Sequence, residues 1–513
     1  MVRVYDNANE PPFQPFIRMK GLKACRPNNG QVAPAIAYVE QVPYLTMNSL
    51  FSSICSLFAL GVAAVTMSCS PSLKASAPAL ESRPGSPPVN AYETFDIVWS
   101  RVEEKHFDPT HNGVDWEAIG DLYRPRVEET RSNAELRELL QEMLAELGQS
   151  HFVIIPAASN LEKGSGLGGD GTIGIRLGWV GGQPTVVGVH ADSPAAEAGI
   201  TPGWILESVD GNLPTEVFAH LIEAMESSDS PLIAGKAALH LDTAATNVPG
   251  SSRTFIFKDT KGEKHERTLT FIQQEGTPVK FGNLPPMPTL IESRWLEQEE
   301  LDRLNLSVST SKSNEPRIGY IYFNIWMFPI MAPFADAIDT FRAADGLVLD
   351  LRRNTGGLGG LSMGVAGHLI NEKVSLGTMA MRETTLEFVV NPQRATMDGR
   401  LVKPYAGPVA VIVDAGTAST SEVFGAGVQQ LGRAHVFGRN SMGAALPAQT
   451  EKLPNGDVFM FAIANFTGPA GMSIEGTGVV PDHPITLTQS SLETNWDPDL
   501  RAAVDWINST INP

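Results

Sequence analysis

The stretch Val409–Gln430, VAVIVDAGTASTSEVFGAGVQQ, decides the fold of this 513-residue chain. Its first part, Val409–Asp414, is an apolar run that predicts a buried strand. Ala415–Thr420 is small and rich in hydroxyl groups and cannot continue the strand, and Ser421–Gln430 then has the apolar spacing of a helix. A strand that ends in a turn before a helix is typical of a parallel α/β sheet, where ligands bind beyond the carboxyl ends of the strands.

A serine in this turn lies beside the N–H groups that open the following helix. These donors and the positive end of the helix dipole favour negative charge. A tetrahedral oxyanion needs such an environment, so the turn is compatible with an activated hydroxyl nucleophile. The alternative interpretation is an ordinary helix N-cap, because Ser and Thr are preferred at that position.

A second turn of this kind lies in VLDLRRNTGGLGG, residues 348–360. A buried strand ends there in polar residues and in Gly356–Gly357, and a helical pattern follows at Leu361–Ile370. Glycines let the backbone approach a ligand closely and point N–H groups toward it. The turn is therefore either half of an oxyanion hole or simply a tight connection. Strands alternate with helices from residue 317 onward, which predicts parallel strands with right-handed crossovers.

The composition is that of an ordinary soluble globular protein, with 42% hydrophobic and 19% charged residues. A formal net charge of −19 and the lack of a basic cluster argue against nucleic acid as a partner. HExxH spacing and phosphate-binding or dinucleotide-binding glycine loops do not occur in the sequence, so we expect no metal and no cofactor. Cys25, Cys55 and Cys69 precede the globular part, which excludes disulfides there.

Residues 50–67, LFSSICSLFALGVAAVTM, form a long apolar run that ends just before Cys69. This arrangement resembles a bacterial lipoprotein signal, in which such a cysteine is acylated. Thr66 and the lack of a basic residue between Met47 and Cys69 depart from that pattern. We expect an exported protein, periplasmic or on the outer surface, with a lipid anchor on Cys69. A transmembrane anchor and a cytoplasmic protein are the alternatives. Met47 is a candidate start, which would make residues 1–46 a disordered or wrongly assigned extension.

Residues 190–214, HADSPAAEAGITPGWILESVDGNLP, resemble a PDZ domain, with its short helix in SPAAEAGI and its Asp-Gly turn in PGWILESVDG. Val217–Met225 would be its second helix. The resemblance implies that extended peptide ends bind by strand addition, while backbone N–H groups hold the terminal carboxylate. The alternative is a small β domain that only packs. The carboxylate loop would consist of Thr172, Ile173, Gly174 and Ile175.

An N-terminal helical pattern runs over Tyr92–Leu147, with a capping box at Ser132–Glu135. It stops at Gly148, shortly before His151. The patterns together divide the chain into a signal-type segment at 47–69, a Pro/Ser/Ala-rich linker at 70–91, a helical domain at 92–163, a PDZ-like domain at 164–275, a linker or arm at 276–315, a catalytic α/β domain at 316–490 and a C-terminal helix at 491–513.

The helical segment, the PDZ-like segment, DLRRNTGG, GTASTSE and EGTGVVPD occur in one order. Over about residues 92–490 this order resembles the carboxy-terminal processing protease and tricorn-core family of serine peptidases, family S41. The resemblance implies a multidomain α/β protein with a ClpP/crotonase-like catalytic core. It also implies that Ser419 is the nucleophile, and that Gly356, Gly357 and the backbone of Thr420 form the oxyanion hole.

At the position of the general base this sequence differs from the processing-protease branch of the family. That branch has a lysine there, in a TFGKG motif. The matching segment is SMGAA, residues 441–445, with Ala444 at the lysine position. Gln430 replaces an aspartate of the same branch. The chain is similar instead to the tricorn-like branch, whose histidine base lies in a motif resembling LGDSHT; LGQSH places His151 there. EGTGVVPD places Glu475 at the position of a glutamate that orients this histidine. Histidine can exchange a proton near neutrality.

We therefore predict a serine peptidase that hydrolyses exported or unfolded polypeptides, bound through their carboxyl ends or extended segments, with Ser419, His151 and Glu475 as catalytic residues. An inactive PDZ-containing peptide-binding scaffold is one alternative, motivated by the missing lysine. A hydrophobic-ligand carrier is another, because retinoid-binding relatives share this core. Simpler roles also remain open, with His151 as a helix-terminal cap and Glu475 as a surface charge. His435 and His368 are nearer to Ser419 in sequence, but their patterns predict packing.

Overall fold

The structure is a computed structural model that describes residues 4–5, 86–157, 171–284, 286–306 and 317–511. Apart from Val4 and Tyr5, which pair with Leu386 and Thr385, the segment 1–46 lies outside the described residues. The same holds for the signal-type segment with Cys69, for most of the linker at 70–91 and for the glycine-rich start of the PDZ-like segment. Within the part of the chain that is described, no helix combines the length and apolar character needed to cross a bilayer.

The helices lie in an N-terminal, a middle and a C-terminal region of the chain. The described α-helices are α1 Ala91–Lys105, α2 Trp116–Tyr123, α3 Asn133–Ala145, α4 Pro194–Glu197, α5 Pro214–Val217, α6 Ala219–Ser227, α7 Pro231–Asp242, α8 Gln298–Arg303, α9 Met331–Thr340, α10 Gly360–Gly367, α11 Thr420–Gln430, α12 Gln489–Asn495 and α13 Pro498–Ile511.

The strands form several sheets rather than one. The described strands are β1 Val4–Tyr5, β2 Val153–Ile155, β3 Gly171–Thr172, β4 Ile175–Val180, β5 Gln183–Val189, β6 Ile205–Val209, β7 Thr246–Asn247, β8 Ser252–Lys258, β9 Lys264–Thr270, β10 Ile272–Gln273, β11 Thr277–Val279, β12 Met287–Thr289, β13 Ile291–Trp295, β14 Ile318–Phe323, β15 Gly346–Asp350, β16 Val374–Met381, β17 Thr385–Val390, β18 Val409–Val413, β19 His435–Gly438, β20 Ala448–Lys452, β21 Val458–Ala462, β22 Ala464–Thr467 and β23 His483–Pro484.

Helices α1 to α3 pack around an apolar core that also includes side chains of β21. The Ser132 side chain accepts a hydrogen bond from the Glu135 N–H and so caps α3. The Glu135 carboxylate bonds to the Arg131 N–H rather than to that of Ser132, so the predicted box is shifted by one residue. After α3 the chain turns at Gly148, which has φ +63°, and reaches His151 and the short strand β2.

The middle region is built on an antiparallel sheet in the order β4-β5-β6-β8-β9. The helix expected at Val217–Met225 is present as α6 Ala219–Ser227, with the short α5 before it and α7 after it. Helix α7 lies along the edge strand β4, and the Trp179 indole N–H donates to the Ala237 carbonyl at 3.3 Å. The Leu177 N–H, on the same strand, donates to Asp242 at 2.8 Å.

The C-terminal region contains a six-stranded sheet in the order β13-β14-β15-β18-β19-β23. Strands β14, β15, β18, β19 and β23 are parallel, as the alternation of strands and helices predicted, and β13 is antiparallel to β14. Apolar cores cover both faces, one involving α9 to α11 and the other involving α13. The structure is therefore mixed α/β, and both predicted turns lie at the carboxyl ends of neighbouring strands, β15 and β18.

The segment 276–315, expected to be a linker or arm, contributes strands β11 to β13 and helix α8 to the described structure. Strand β13 completes one edge of the six-stranded sheet because it pairs with β14 over five residues, from Ile291 opposite Phe323 to Trp295 opposite Gly319. Its side chains are only half-buried or exposed, so its apolar pattern is too weak to be recognised as a strand.

Candidate active site

Ser419 occupies the N-cap position of α11 with φ +59°, a conformation that is uncommon for a residue other than glycine. Its side chain is 1% exposed, and its Oγ has no hydrogen-bond partner among the described residues. Its N–H donates to the Ala444 carbonyl at 2.9 Å and to the Glu422 carboxylate at 2.8 Å. The Glu422 carboxylate caps the turn through the Ser419 N–H, as in a capping box, while the Ser419 hydroxyl has no partner in a strained backbone. This arrangement is compatible with a nucleophile as well as with an N-cap.

Gly356 and Gly357 lie directly beside this serine, with φ +99° and +137°. A Cβ built on Gly356 would be 2.6 Å from the Ser419 Cβ and 2.9 Å from its Oγ, so only glycine allows this approach. The Gly356 N–H donates to the Asn354 side chain at 3.1 Å and is therefore occupied. In the described structure the N–H groups of Gly357 and Thr420 make no hydrogen bond. These two amides are therefore free to donate to a ligand at this turn.

The glycine turn is fixed to the nucleophile turn by a set of buried hydrogen bonds. The Asn354 carbonyl accepts from the Ala418 N–H at 3.0 Å and from the Ser421 hydroxyl at 3.0 Å. The Ser421 oxygen accepts in turn from the Trp326 indole at 2.8 Å. The Asn354 amide donates to the Phe323 carbonyl at 2.8 Å. Ser421, the second serine of the motif, therefore holds the backbone in place and does not face the Ser419 hydroxyl.

His151 is buried, with 8% of its surface exposed, and has φ +60°. Its Nδ1 lies 2.8 Å from the Ser150 Oγ, and its Nε2 has no hydrogen-bond partner among the described residues. Burial lowers the pKa of His151 to about 4. The imidazole is therefore neutral around pH 7, as a general base must be before it accepts a proton.

Glu475 is joined to this histidine through Ser150. The Ser150 N–H donates to one carboxylate oxygen of Glu475 at 2.7 Å, and the Ser150 hydroxyl donates to the other at 2.9 Å. A hydroxyl that donates to the carboxylate must accept from His151 Nδ1–H. This fixes the tautomer and leaves the lone pair of Nε2 free. Burial raises the pKa of Glu475, opposed by donors that include the Ser150 and Ala445 N–H groups.

Sequence reasoning did not assign a role to Ser150. The available signal was its place in LGQSH, directly before the proposed base. Its partner is 325 positions away along the chain, so no local pattern could show the contact.

The segment 441–445 connects the two halves of the site. The Ala444 carbonyl accepts the Ser419 N–H at 2.9 Å, and the next N–H, that of Ala445, donates to Glu475 at 2.9 Å. Ser419 and the Glu475–Ser150–His151 chain are thereby placed on either side of one peptide unit. In the described structure no hydrogen bond joins His151 Nε2 to Ser419 Oγ.

The position of the absent lysine is filled by apolar packing. Ala444 is buried with Ala418 and Met442, and Leu232 and Leu239 of α7 pack against this group. Helix α7 therefore covers the nucleophile turn on this side.

Arg353 links the glycine turn to the antiparallel sheet. Its N–H donates to Asp414 at 3.0 Å, and its guanidinium forms an ion pair with Asp242 of α7 at 2.9 Å. The same guanidinium donates to the carbonyl of Leu177 on the edge strand β4.

The residues expected to form a carboxylate loop lie at the start of this antiparallel sheet. Thr172 ends β3 and Ile175 begins β4, with a break between them. The Gly174 N–H donates to the Thr172 side chain at 2.9 Å, and the Ile173 N–H donates to the Ala245 carbonyl at 3.4 Å. Both amides are therefore engaged within the chain.

The two other histidines considered from the sequence are packed elsewhere. His368 follows α10 and contacts the Phe334 ring, with a centroid separation of 5.8 Å. His435 lies in β19, with its ring 4.6 Å from that of Trp506 and its Nδ1 3.2 Å from Nε2 of His483.

Two models of known protein families match parts of the chain. Residues 317–485 match the model of peptidase family S41, and residues 87–145 match that of the tricorn protease C1 domain. The chain is 25% identical over 406 residues to carboxyl-terminal-processing peptidase 2, chloroplastic, of Arabidopsis thaliana, covering 76% of this chain and 68% of the relative.

Two further relatives come from bacteria. A carboxyl-terminal-processing protease of Synechocystis sp. is 24% identical over 429 residues, covering 80% of this chain and 86% of the relative. Putative tricorn protease homolog 2 of Streptomyces coelicolor is 24% identical over 404 residues, but the chain spans only 30% of that protein's length.

Among solved structures, mature CPAF has a TM-score of 0.52 at 12% identity, covering 82% of this chain and 96% of that one. Its complex with lactacystin has the same TM-score at 13% identity. At this identity the likeness shows the fold alone.

Proposed function

The chain belongs to peptidase family S41 and is a serine-type peptidase, and we propose that Ser419 is its nucleophile and His151 its general base. Glu475 then orients His151 through the Ser150 hydroxyl. One observation carries the assignment. The Glu475–Ser150–His151 chain fixes the imidazole so that Nε2 is unpaired, and the buried Ser419 Oγ across the 444–445 peptide is unpaired as well.

The reaction begins when Ser419 Oγ attacks the carbonyl carbon of the scissile peptide and His151 Nε2 takes the hydroxyl proton. The electron pair of the broken carbonyl π bond moves to oxygen, and the Gly357 and Thr420 N–H groups stabilise that charge. The intermediate collapses as the C–N bond breaks, and His151 gives its proton to the departing amine. Water then releases the acyl group from Ser419 by the same sequence, with His151 again as base.

Glu475 offsets the positive charge that His151 carries between these proton transfers. The carboxylate acts at one remove because the Ser150 hydroxyl lies between the two groups. In a buried site the effective dielectric is low, so even an indirect interaction of this kind stabilises the imidazolium.

We infer further that the substrates are polypeptides presented by their carboxyl ends or extended segments. The names of the processing peptidases among the relatives favour this class. The antiparallel sheet from β4 to β9 would be the PDZ-like recruiting unit, because β4 is an edge strand with helix α7 along it. A peptide that added to β4 at Leu177 would have to displace the contacts of Asp242 and Arg353.

The cellular location is part of the same proposal. We infer export from the apolar run at 50–67 and from the chloroplast location printed for one relative. The lipid anchor on Cys69 remains a prediction from sequence.

The proposed function is tested by labelling the purified protein with a fluorophosphonate, a reagent that modifies activated serines. We expect labelling and casein cleavage by the wild type, and loss of both in Ser419→Ala. A well-folded wild type that is neither labelled nor active would instead favour a peptide-binding scaffold. Bound lipid in the purified protein would favour the ligand carrier.

A further inference from the structure

Glu422 is a fully buried carboxylate that the reaction described above does not use. It lies on the first turn of α11, three residues after the nucleophile. Four donors surround it. The Ser419 N–H at 2.8 Å and the Ala444 N–H at 3.0 Å bond to one oxygen, and the Ser441 hydroxyl at 2.6 Å and the Gly443 N–H at 2.6 Å bond to the other.

These contacts join two separate parts of the chain. One donor is the backbone of the nucleophile itself, and the other three belong to the segment 441–445. The same segment holds Glu475 through the Ala445 N–H, and it is tied to the loop around Glu475 by the bond from the Gly476 N–H to the Gly443 carbonyl, 2.9 Å. Adjacent amides, those of Ala444 and Ala445, therefore bond to two different carboxylates, one fully buried and one half-buried.

Glu422 has no basic partner. Among the described residues no Lys, Arg or His forms an ion pair with it, and burial raises its pKa to about 7. A carboxylate in this position is costly to bury unless neutral donors satisfy it. Position 444, where a lysine would supply a positive charge beside it, is alanine. The carboxylate of Glu422 is therefore satisfied by neutral donors alone.

We propose that Glu422 is a positioning residue for the reaction: its carboxylate fixes the Ser419 turn against the segment 441–445 and so sets the position of the nucleophile relative to His151. This inference rests on the proposed function. Misplacement of reacting groups by about 1 Å can lower a rate by about 100-fold. Loss of the carboxylate therefore lowers kcat and changes KM little, because Glu422 does not touch the substrate.

The test uses Glu422→Gln in the full chain, with Glu138→Gln on the exposed face of α3 as the matched control. An amide keeps the shape but replaces one accepting oxygen by an NH2 group that faces two donors. We expect kcat for a casein-derived peptide to fall about 10- to 100-fold, with KM within about twofold of the control. The rate of fluorophosphonate labelling should fall in parallel.

A pH profile of kcat separates positioning from general stability. The segment 441–445, which bonds to Glu422, also bonds to Glu475, and Glu475 contacts Ser150 beside His151. Burial raises the pKa of Glu475, and the pKa of His151, about 4, lies well below neutrality. All four donors have a carboxylate oxygen to bond to only when Glu422 is ionised. We therefore expect the wild-type kcat to rise with pH through about 7. That rise should be absent in Glu422→Gln.

Ser441→Ala is the second variant, and it decides the matter if Glu422→Gln does not fold. It removes one of the four donors and leaves the carboxylate in place, so we expect a smaller fall in kcat with the same unchanged KM. The inference is overturned if a folded Glu422→Gln, or Ser441→Ala in its place, has the kcat and pH profile of the control. Failure of the proposed function is distinct, because the wild type would then not be labelled at Ser419.

Discussion

Glu475 reaches His151 through the Ser150 hydroxyl, which lies 2.9 Å from the carboxylate and 2.8 Å from Nδ1 of the imidazole. The side chain that contacts His151 is therefore not the one that carries the charge. Each can be removed separately, and this makes the arrangement testable.

We expect Ser150→Ala to lower kcat about 10- to 100-fold and to leave KM nearly unchanged, because the imidazole loses the acceptor that fixes its tautomer. Ser509→Ala, at an exposed serine of α13, is the control. Steady-state kinetics on a peptide substrate measures the effect. Full activity in Ser150→Ala would show that Glu475 acts on His151 by another route.

We expect His151→Ala to lower kcat by about 100- to 10,000-fold, the usual contribution of a general base. Fluorophosphonate labelling should slow to a similar degree, since it too requires an activated Ser419. His435→Ala, at the histidine packed on Trp506, should remain active. Activity retained in the first variant and lost in the second would transfer the role of base to His435.

Burial of neutral His151 makes the stability of the fold depend on pH. The folded pKa, about 4, lies below the value of about 6.5 for an unfolded histidine, so the unfolded chain binds more protons between these values. The contribution to the free energy of unfolding is complete above about pH 6.5. It is lost as the pH falls toward 4, and amounts to about 3 kcal/mol.

Thermal unfolding of the wild type and of His151→Gln at pH 7.5 and pH 4.5 measures the contribution of His151 to the free energy of unfolding. The wild type should lose more stability on acidification than the variant. The raised pKa values of Glu422 and Glu475 act in the opposite direction, but they are common to both proteins and cancel in the comparison. Equal losses in the two proteins would show that His151 is not buried in its neutral form.

We expect Gly356→Ala to abolish labelling of Ser419, because the added methyl group would lie 2.6 Å from the Ser419 Cβ in a backbone with φ +99°. Gly360→Ala, at the first residue of the following helix α10, is the control. There the nearest side-chain atom is 4.0 Å away and φ is not positive. We expect this control to be labelled like the wild type. If Gly356→Ala is labelled at the normal rate, the two turns are not in contact in solution.

Both turns of the site could be predicted from sequence because each is a local event. At Asp414 and at Asp350 an apolar strand ends in small or polar residues and a helix follows, and in a parallel sheet such ends share one edge. His151 and Glu475 were assigned from the family resemblance rather than from spacing. The segment 441–445 joins both residues to the turn that carries Ser419, and its sequence gives no sign of that contact.

The contacts that could not be predicted join distant parts of the chain. Ser150 bonds to Glu475 across 325 positions, and Glu422 bonds to Ala444 across 22. The hairpin β16–β17 and strands β20 to β22 were also not predicted. Strand β21, VFMFA, is buried along its whole length and lacks the alternation that marks a half-buried strand.

Arg353 lies in the turn that carries Gly356 and Gly357, yet its side chain is held by Asp242 of α7 and by Leu177 on β4. One residue thus belongs to the reaction centre through its backbone and to the neighbouring sheet through its guanidinium. A mutation that alters the contact with Asp242 or Leu177 therefore also changes the surroundings of the glycine turn. Through this one side chain, the antiparallel sheet and the turn beside Ser419 form a single mechanical unit.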